Sequence, residues 1–220
     1  MRNSVFCILV AVLAGCVHGS PGSAATSVTR VSECPGRLNG PALPPDAPEA
    51  LRQAYLGISY THASAKGLGE TPSQIWGSEH WKDAVAEEGE GRIDNAYLFC
   101  SAQPVHLWRA WSTHPTEEQA QSGGGPSKQI GKWWAAELPT SARAAFRRAY
   151  VVCTRWNRLE HLSRCTVDAG VVFAAGRGNG ARCGGTEEYG PSARWQVFID
   201  VDDPSNAGKI HCGDTTEMSE

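Results

Sequence analysis

The apolar positions change their period near Asn95. Before it they fall at helical spacing. "PDAPEALRQAYLG" predicts a helix starting near Asp46, which can cap it. "TPSQIWGSEHWKDAVAEEG" predicts a second, with Thr71 as N-cap, Pro72 in the first turn and Gln74 three residues after Thr71. Ile75, His80, Trp81 and Val85 are its packing positions, and Gly89 to Gly91 end it. After Asn95 short runs of β-branched and aromatic residues read as strands. They are "NAYLFC" (Asn95 to Cys100), "VHLWRAW" (Val105 to Trp111), "GKWWAAEL", "AYVVCTRW", "AGVVFAA" and "ARWQVFIDV" (Ala193 to Val201). "PTEEQAQ" and "TSARAAFRRA" (Thr140 to Ala149) are helical pieces, and "SGGGPS" (Ser122 to Ser127) is a flexible loop. Helices first and strands later give an α+β chain, not alternating βαβ units.

The first residues stand apart. Arg2 is a short positive segment, and Val5 to Leu13 is apolar but too short to span a bilayer. Residues 1–19 are expected to be a signal peptide, 20–45 an extended lead-in, and 46–215 a single catalytic-like domain. "VHG" before "SPG" suits ordinary signal peptidase and a secreted protein. "LAGC", Leu13 to Cys16, resembles a lipobox, and the alternative is a lipid anchor at Cys16. No later segment is expected to cross a membrane.

Eight cysteines are present, and six follow the leader: Cys34, Cys100, Cys153, Cys165, Cys183 and Cys212. An even count in an exported chain reads as three disulfides, and six cysteines allow 15 pairings. A Cys34–Cys212 bridge would tie the termini; a Cys165–Cys183 bridge would close a glycine-rich loop. There is no CxxC pair, so no zinc template and no metal is expected. The formal charge of −3 becomes −4 without Arg2, which is not the footprint of a nucleic-acid binder.

Arg109 sits in an apolar run between Trp108 and Trp111. On a strand it shares a face with Leu107 and Trp111. A guanidinium stays charged and is rarely buried alone. Either an internal carboxylate such as Asp168 meets it, or a ligand does. "GRGNGARCGG" matches neither GxGxxG nor a P-loop and reads as a hairpin turn stapled by Cys183. His106 and His161 read as half-buried polar residues; His211 belongs to a site only if the tail folds back.

The order of the pieces says more than any one of them. "LWRA", a glycine loop, "GKWWA", "VVFAAGRGNGARC" and "QVFI" follow one another between Val105 and Val201. This order resembles the catalytic domain of small secreted, toxin-like ADP-ribosyltransferases. The resemblance implies N-terminal helices followed by a mostly antiparallel two-sheet β core of that type, stapled by disulfides. It implies NAD as substrate, with Arg109 and the neighbouring Ala110 at the pyrophosphate and Trp133 and Trp134 against the nicotinamide. Gln196 would orient the ribose. Glu188, or Glu187 beside it in "GTEEYG", would activate the acceptor. The chain departs from the pattern in two places: "KWWA" stands where many members have a Ser-Thr-Ser strand, and Phe198, not Glu, lies two residues after Gln196. The function implied is transfer of ADP-ribose from NAD to an unknown protein or small-molecule acceptor. An NAD glycohydrolase would share the cleft and use water. A non-enzymatic binding or inhibitory module, with contacts drawn from eight tryptophans, is a third reading. A nuclease is disfavoured by the acidic balance.

Overall fold

Strand alternation builds most of the molecule. The computed structural model describes residues 43–55, 60–61, 84, 89–94 and 96–220. The expected signal peptide, Cys16, Cys34, most of the lead-in and the helix from Thr71 lie outside them. In chain order the elements are α1 (Glu49–Ala54), β1 (Tyr60–Thr61), β2 (Tyr97–Cys100), β3 (Val105–Trp111), α2 (Glu117–Gln121), β4 (Trp133–Ala135) and α3 (Arg143–Tyr150). Then come β5 (His161–Val167), β6 (Val172–Arg177), β7 (Ala181–Gly184), β8 (Glu187–Tyr189), β9 (Trp195–Phe198) and β10 (Ile210–Glu217).

Eight strands form one sheet in the order β1-β2-β6-β9-β4-β3-β5-β10, and β7 with β8 forms a separate hairpin. All the pairings are antiparallel. The chain is therefore mostly antiparallel β with few helices among the described residues. The expected two-sheet core is instead one continuous sheet with a small hairpin beside it. The continuity is thinnest between β3 and β4, which share only the register pair Trp108↔Ala135. β3 pairs with β5 along its whole length, and β4 with β9 at three positions.

Successive side chains point to opposite faces, and each face has its own core. Val105 and Leu107 of β3 pack with Phe173, Val197 and Ile199, under Leu51 and Ala54 of α1. Ala110 faces the other way, with Ala135, Leu162 and Phe146 and Tyr150 of α3. Asp46 does not cap α1: the cap position is Pro48, without a side-chain bond, and Asp46 pairs with Arg177. α2 has a full capping box, Thr116 with Gln119.

One other expectation changes. "AYVVCTRW" is not a strand. α3 runs to Tyr150, and Val151 ends it in the left-handed region at φ 52°. "GRGNGARCGG" does carry a hairpin turn, at its far end: β7 pairs with β8, the turn lies at Gly184 and Gly185, both with positive φ, and Cys183 is bridged to Cys153. Glu187 and Glu188 thus stand on a short strand.

The bridges are Cys153–Cys183 and Cys165–Cys212, with Cα separations of 5.3 and 4.0 Å. Neither suggested pairing, Cys34–Cys212 or Cys165–Cys183, is formed. Cys165 and Cys212 sit opposite each other in the β5/β10 ladder, a register that sequence spacing does not reveal. Cys100 is also disulfide-bonded.

Glu160 anchors the turn that leaves β3. It accepts from the backbone N–H and hydroxyl of Thr113, both at 2.9 Å, and from the His114 N–H at 3.2 Å. Burial pushes its carboxyl up, but bonds from His114 and Thr113 outweigh that and hold it at about 2. A carboxyl depressed in the fold stabilises above its unfolded value, about 4.3, and loses that contribution as pH falls toward the folded value. Glu160→Gln is therefore expected to lower the urea midpoint at pH 6. The gap to wild type should close as the pH falls from about 5 to about 2, in denaturation curves taken across that range.

Candidate functional site

Where β3 and β4 part, a pocket of about 360 Å³ opens beneath α3. Arg109, Ala110, Trp133, Trp134 and Gln196 all line it, so residues up to 87 positions apart in sequence meet there. Phe146, Tyr150 and Val151, from α3 and its cap, form the roof. Its size is that of a small-molecule site.

Arg109 answers part of the question its sequence raises. Its Nη1 donates to the Trp133 carbonyl at 2.8 Å, in the gap where the β3/β4 ladder has stopped. Its Nε donates to the Lys128 carbonyl at 3.3 Å. The guanidinium carbon lies 6.0 Å from the Trp134 ring centroid. No carboxylate among the described residues forms an ion pair with it. Asp168, the internal partner considered, pairs instead with His211 at 3.1 Å. Burial draws the Arg109 pKa down to about 10, so the group keeps its charge at neutral pH. Nη2 makes no hydrogen bond to a described residue.

Gly131 makes that position possible. A Cβ there would stand 2.4 Å from Arg109 Nη2 and 2.9 Å from its guanidinium carbon. Gly131→Ala is expected to push the fork out of place and weaken ligand binding about tenfold, the cost of one charged hydrogen bond. Titration of the variant with pyrophosphate, beside a thermal melt showing that the fold persists, checks this.

Gln196 is held as firmly. It lies in β9 opposite Ala135 and Gly176, and is 7% exposed. Its Nε2 donates to the Tyr150 carbonyl at 2.9 Å. That carbonyl belongs to the last turn of α3, where helical partners run out. The amide is planar, so fixing Nε2 also fixes Oε1, which accepts no bond from a described residue. A second glycine admits this side chain: a Cβ on Gly178 would stand 2.3 Å from Gln196 Nε2. Val151 completes the wall, its Cγ2 3.2 Å from the same point. A β-branched residue in the left-handed region is strained by about 1–3 kcal/mol, and here it bends the chain over the pocket.

Two more features of the wall matter. Trp134 is 3% exposed, and its indole N–H is buried without a hydrogen-bond partner. The Tyr150 hydroxyl donates to the Glu137 carbonyl at 3.2 Å, and burial, with Glu137 nearby, pushes its pKa up to about 12. It stays protonated. Glu188 is exposed on β8 and does not line the pocket. Glu187 is spent on Thr154 and Tyr189, which donate to it at 2.6 and 2.8 Å. Among the described lining residues the carboxylate is Glu90, which is exposed. His161 stacks on Trp111 at 4.6 Å, and His106 bonds Thr166 at 3.1 Å.

Sequence reading missed Gly131, Gly178, Tyr150 and Val151. Gly178 carried a signal, a glycine inside "GRGNG", but the signal was that of a turn. Only the folded chain, with the Gln196 amide laid against Gly178, shows that the glycine makes room for a side chain.

No family model matches the chain, and no curated protein matches it. Among solved structures the chain is similar to Tne2 in its complex with Tni2, at 15% identity and a TM-score of 0.37. The match covers 61% of this chain and 98% of that one. A likeness at that TM-score carries no argument. Among the described residues no helix is long and apolar enough to cross a membrane, and no group of three His, Cys, Asp or Glu side chains is placed to hold a metal.

Proposed function

We propose that this is an exported enzyme that hydrolyses the glycosidic bond of NAD, releasing nicotinamide and ADP-ribose. One observation carries the reading: a charged arginine with no ion pair among the described residues, two tryptophans and a fixed carboxamide line one small pocket. The N–H groups of Arg109 not spent on Trp133 and Lys128 suit a pyrophosphate oxygen pair. The tryptophans offer flat apolar surface to the nicotinamide ring. In the reaction the bond from ribose C1′ to the nicotinamide nitrogen breaks. The electron pair leaves with nicotinamide, which departs neutral, and positive charge grows on the ribose. The Gln196 Oε1 dipole faces that charge and accepts from a ribose hydroxyl. Water adds to C1′ and gives up its proton to solvent.

Hydrolysis is preferred to the transfer that the resemblance implies, because transfer calls for a carboxylate to activate an acceptor. Glu188, nominated for that role, stands outside the pocket. The disulfides support an oxidising compartment. Purified mature protein incubated with NAD alone should release nicotinamide with matching free ADP-ribose. Release that begins only when cell lysate is added, with ADP-ribose bound to protein, would return the reading to transfer. A pocket that neither binds nor cleaves NAD at millimolar concentration would leave the non-enzymatic module.

A further inference from the structure

The outward side of α3 carries a second hollow, of about 510 Å³. Arg143 and Arg147 are four residues apart and so share a helix face. Arg148 and Arg158 complete the lining with them. Four guanidinium groups face one space, against one lining carboxylate, Glu220, which pairs with Arg143. Arg158 pairs with Glu160 at 3.1 Å. Arg147 and Arg148 form no ion pair among the described residues. Glu187 is engaged by Thr154 and Tyr189, and its attraction for Arg147, with that of Glu220, does not offset the burial that lowers the Arg147 pKa.

A merely solvated face would leave each of these groups in water. Two of them are not so placed. Arg147 is half-buried, and its N–H groups go to the carbonyls of Val152, Asn157 and Arg158, at 3.3, 2.8 and 3.3 Å. These contacts hold its position without balancing its charge. Arg143 has a buried Nε with no hydrogen-bond partner. Converging, partly desolvated guanidinium groups match a tetrahedral oxyanion, which takes several N–H donors at once. A phosphate monoester, with close to two negative charges at neutral pH, balances them better than a carboxylate.

We infer that this arginine-lined hollow binds a small phosphate-bearing molecule at a site separate from the Trp133–Gln196 pocket. The inference does not rest on the proposed hydrolysis. It is tested by calorimetric titration of the full mature chain, at low salt, with orthophosphate and with glycerol phosphate. One-to-one saturable binding is expected. Arg148→Gln, an exposed group without an ion pair, should weaken it about tenfold, as should Arg158→Gln. Arg109→Lys should leave it unchanged. Tighter binding of the ester than of orthophosphate assigns the site to an organic phosphate, and the reverse to free phosphate. Three results overturn the inference: no saturable binding of either probe up to about 10 mM, binding indifferent to both Arg148→Gln and Arg158→Gln, or binding abolished by Arg109→Lys. Nicotinamide release measured on the same samples tests the other pocket separately.

Discussion

Arg109→Lys is expected to lower kcat/KM for NAD by about 10- to 150-fold, the cost of about 1.5–3 kcal/mol for a lost charged hydrogen bond. Lysine keeps the positive charge. It loses the planar fork, whose position depends on bonds to two carbonyls, of Trp133 and Lys128, and on the space above Gly131. If the fork grips the pyrophosphate in ground and transition states alike, most of the loss falls in KM. Raised salt should raise KM for wild type only modestly, since a phosphate–guanidinium contact removed from solvent is screened less than one at the surface. The measurement is nicotinamide release against NAD concentration for both proteins, beside their melting temperatures. An equal rate in the two, with equal stability, removes Arg109 from the chemistry.

Gln196→Ala is expected to act the other way, on kcat. Its carboxamide faces charge that exists only as the glycosidic bond breaks, so its loss should spare NAD affinity. The fall should be on the order of a hundredfold, as for removal of one pre-placed polar group from a developing charge. The alanine also leaves the Tyr150 carbonyl without its partner, costing about 1–3 kcal/mol of stability, so the variant is assayed well below its melting temperature. Gln196→Glu separates the two roles. Glutamine does not ionise, and no carboxylate limb from this position should appear in the wild-type pH–rate profile. The glutamate variant should gain one, with an apparent pKa above about 4.3 because the position is buried. A wild-type profile that already falls through a carboxylate pKa points to another group, with Glu90 the first to replace.

Local patterns carried much of this protein. "VHLWRAW" reads as a strand, and β3 begins and ends where that run does, with burial alternating over Val105 to Leu107 before Ala110 is buried on the other face. "PTEEQAQ" brings its own capping box, so α2 needs no distant contact to form. The even cysteine count implied bridges, and bridges are present. The residue type at Arg109 was enough to single it out, because a charge in an apolar run demands a partner; Trp133, Trp134 and Gln196 were pointed to by the resemblance alone.

What the tertiary structure decided is how those pieces face one another. Val151 and Val152 have strand propensity, yet they follow a helix and turn. Val151 takes a left-handed backbone that its branching opposes. The Cys153 bridge and the packing against Gly178 outweigh that local preference. The partner of Cys165 was fixed by the register of β5 on β10, and the turn after β7 by the pairing of β7 with β8. Glu188 fell outside the pocket because β7 and β8 pair as a hairpin apart from the main sheet. Composition and spacing choose which residues can do chemistry. Register and the parting of β3 from β4 choose which of them meet, since both arise from pairings between segments far apart in the chain.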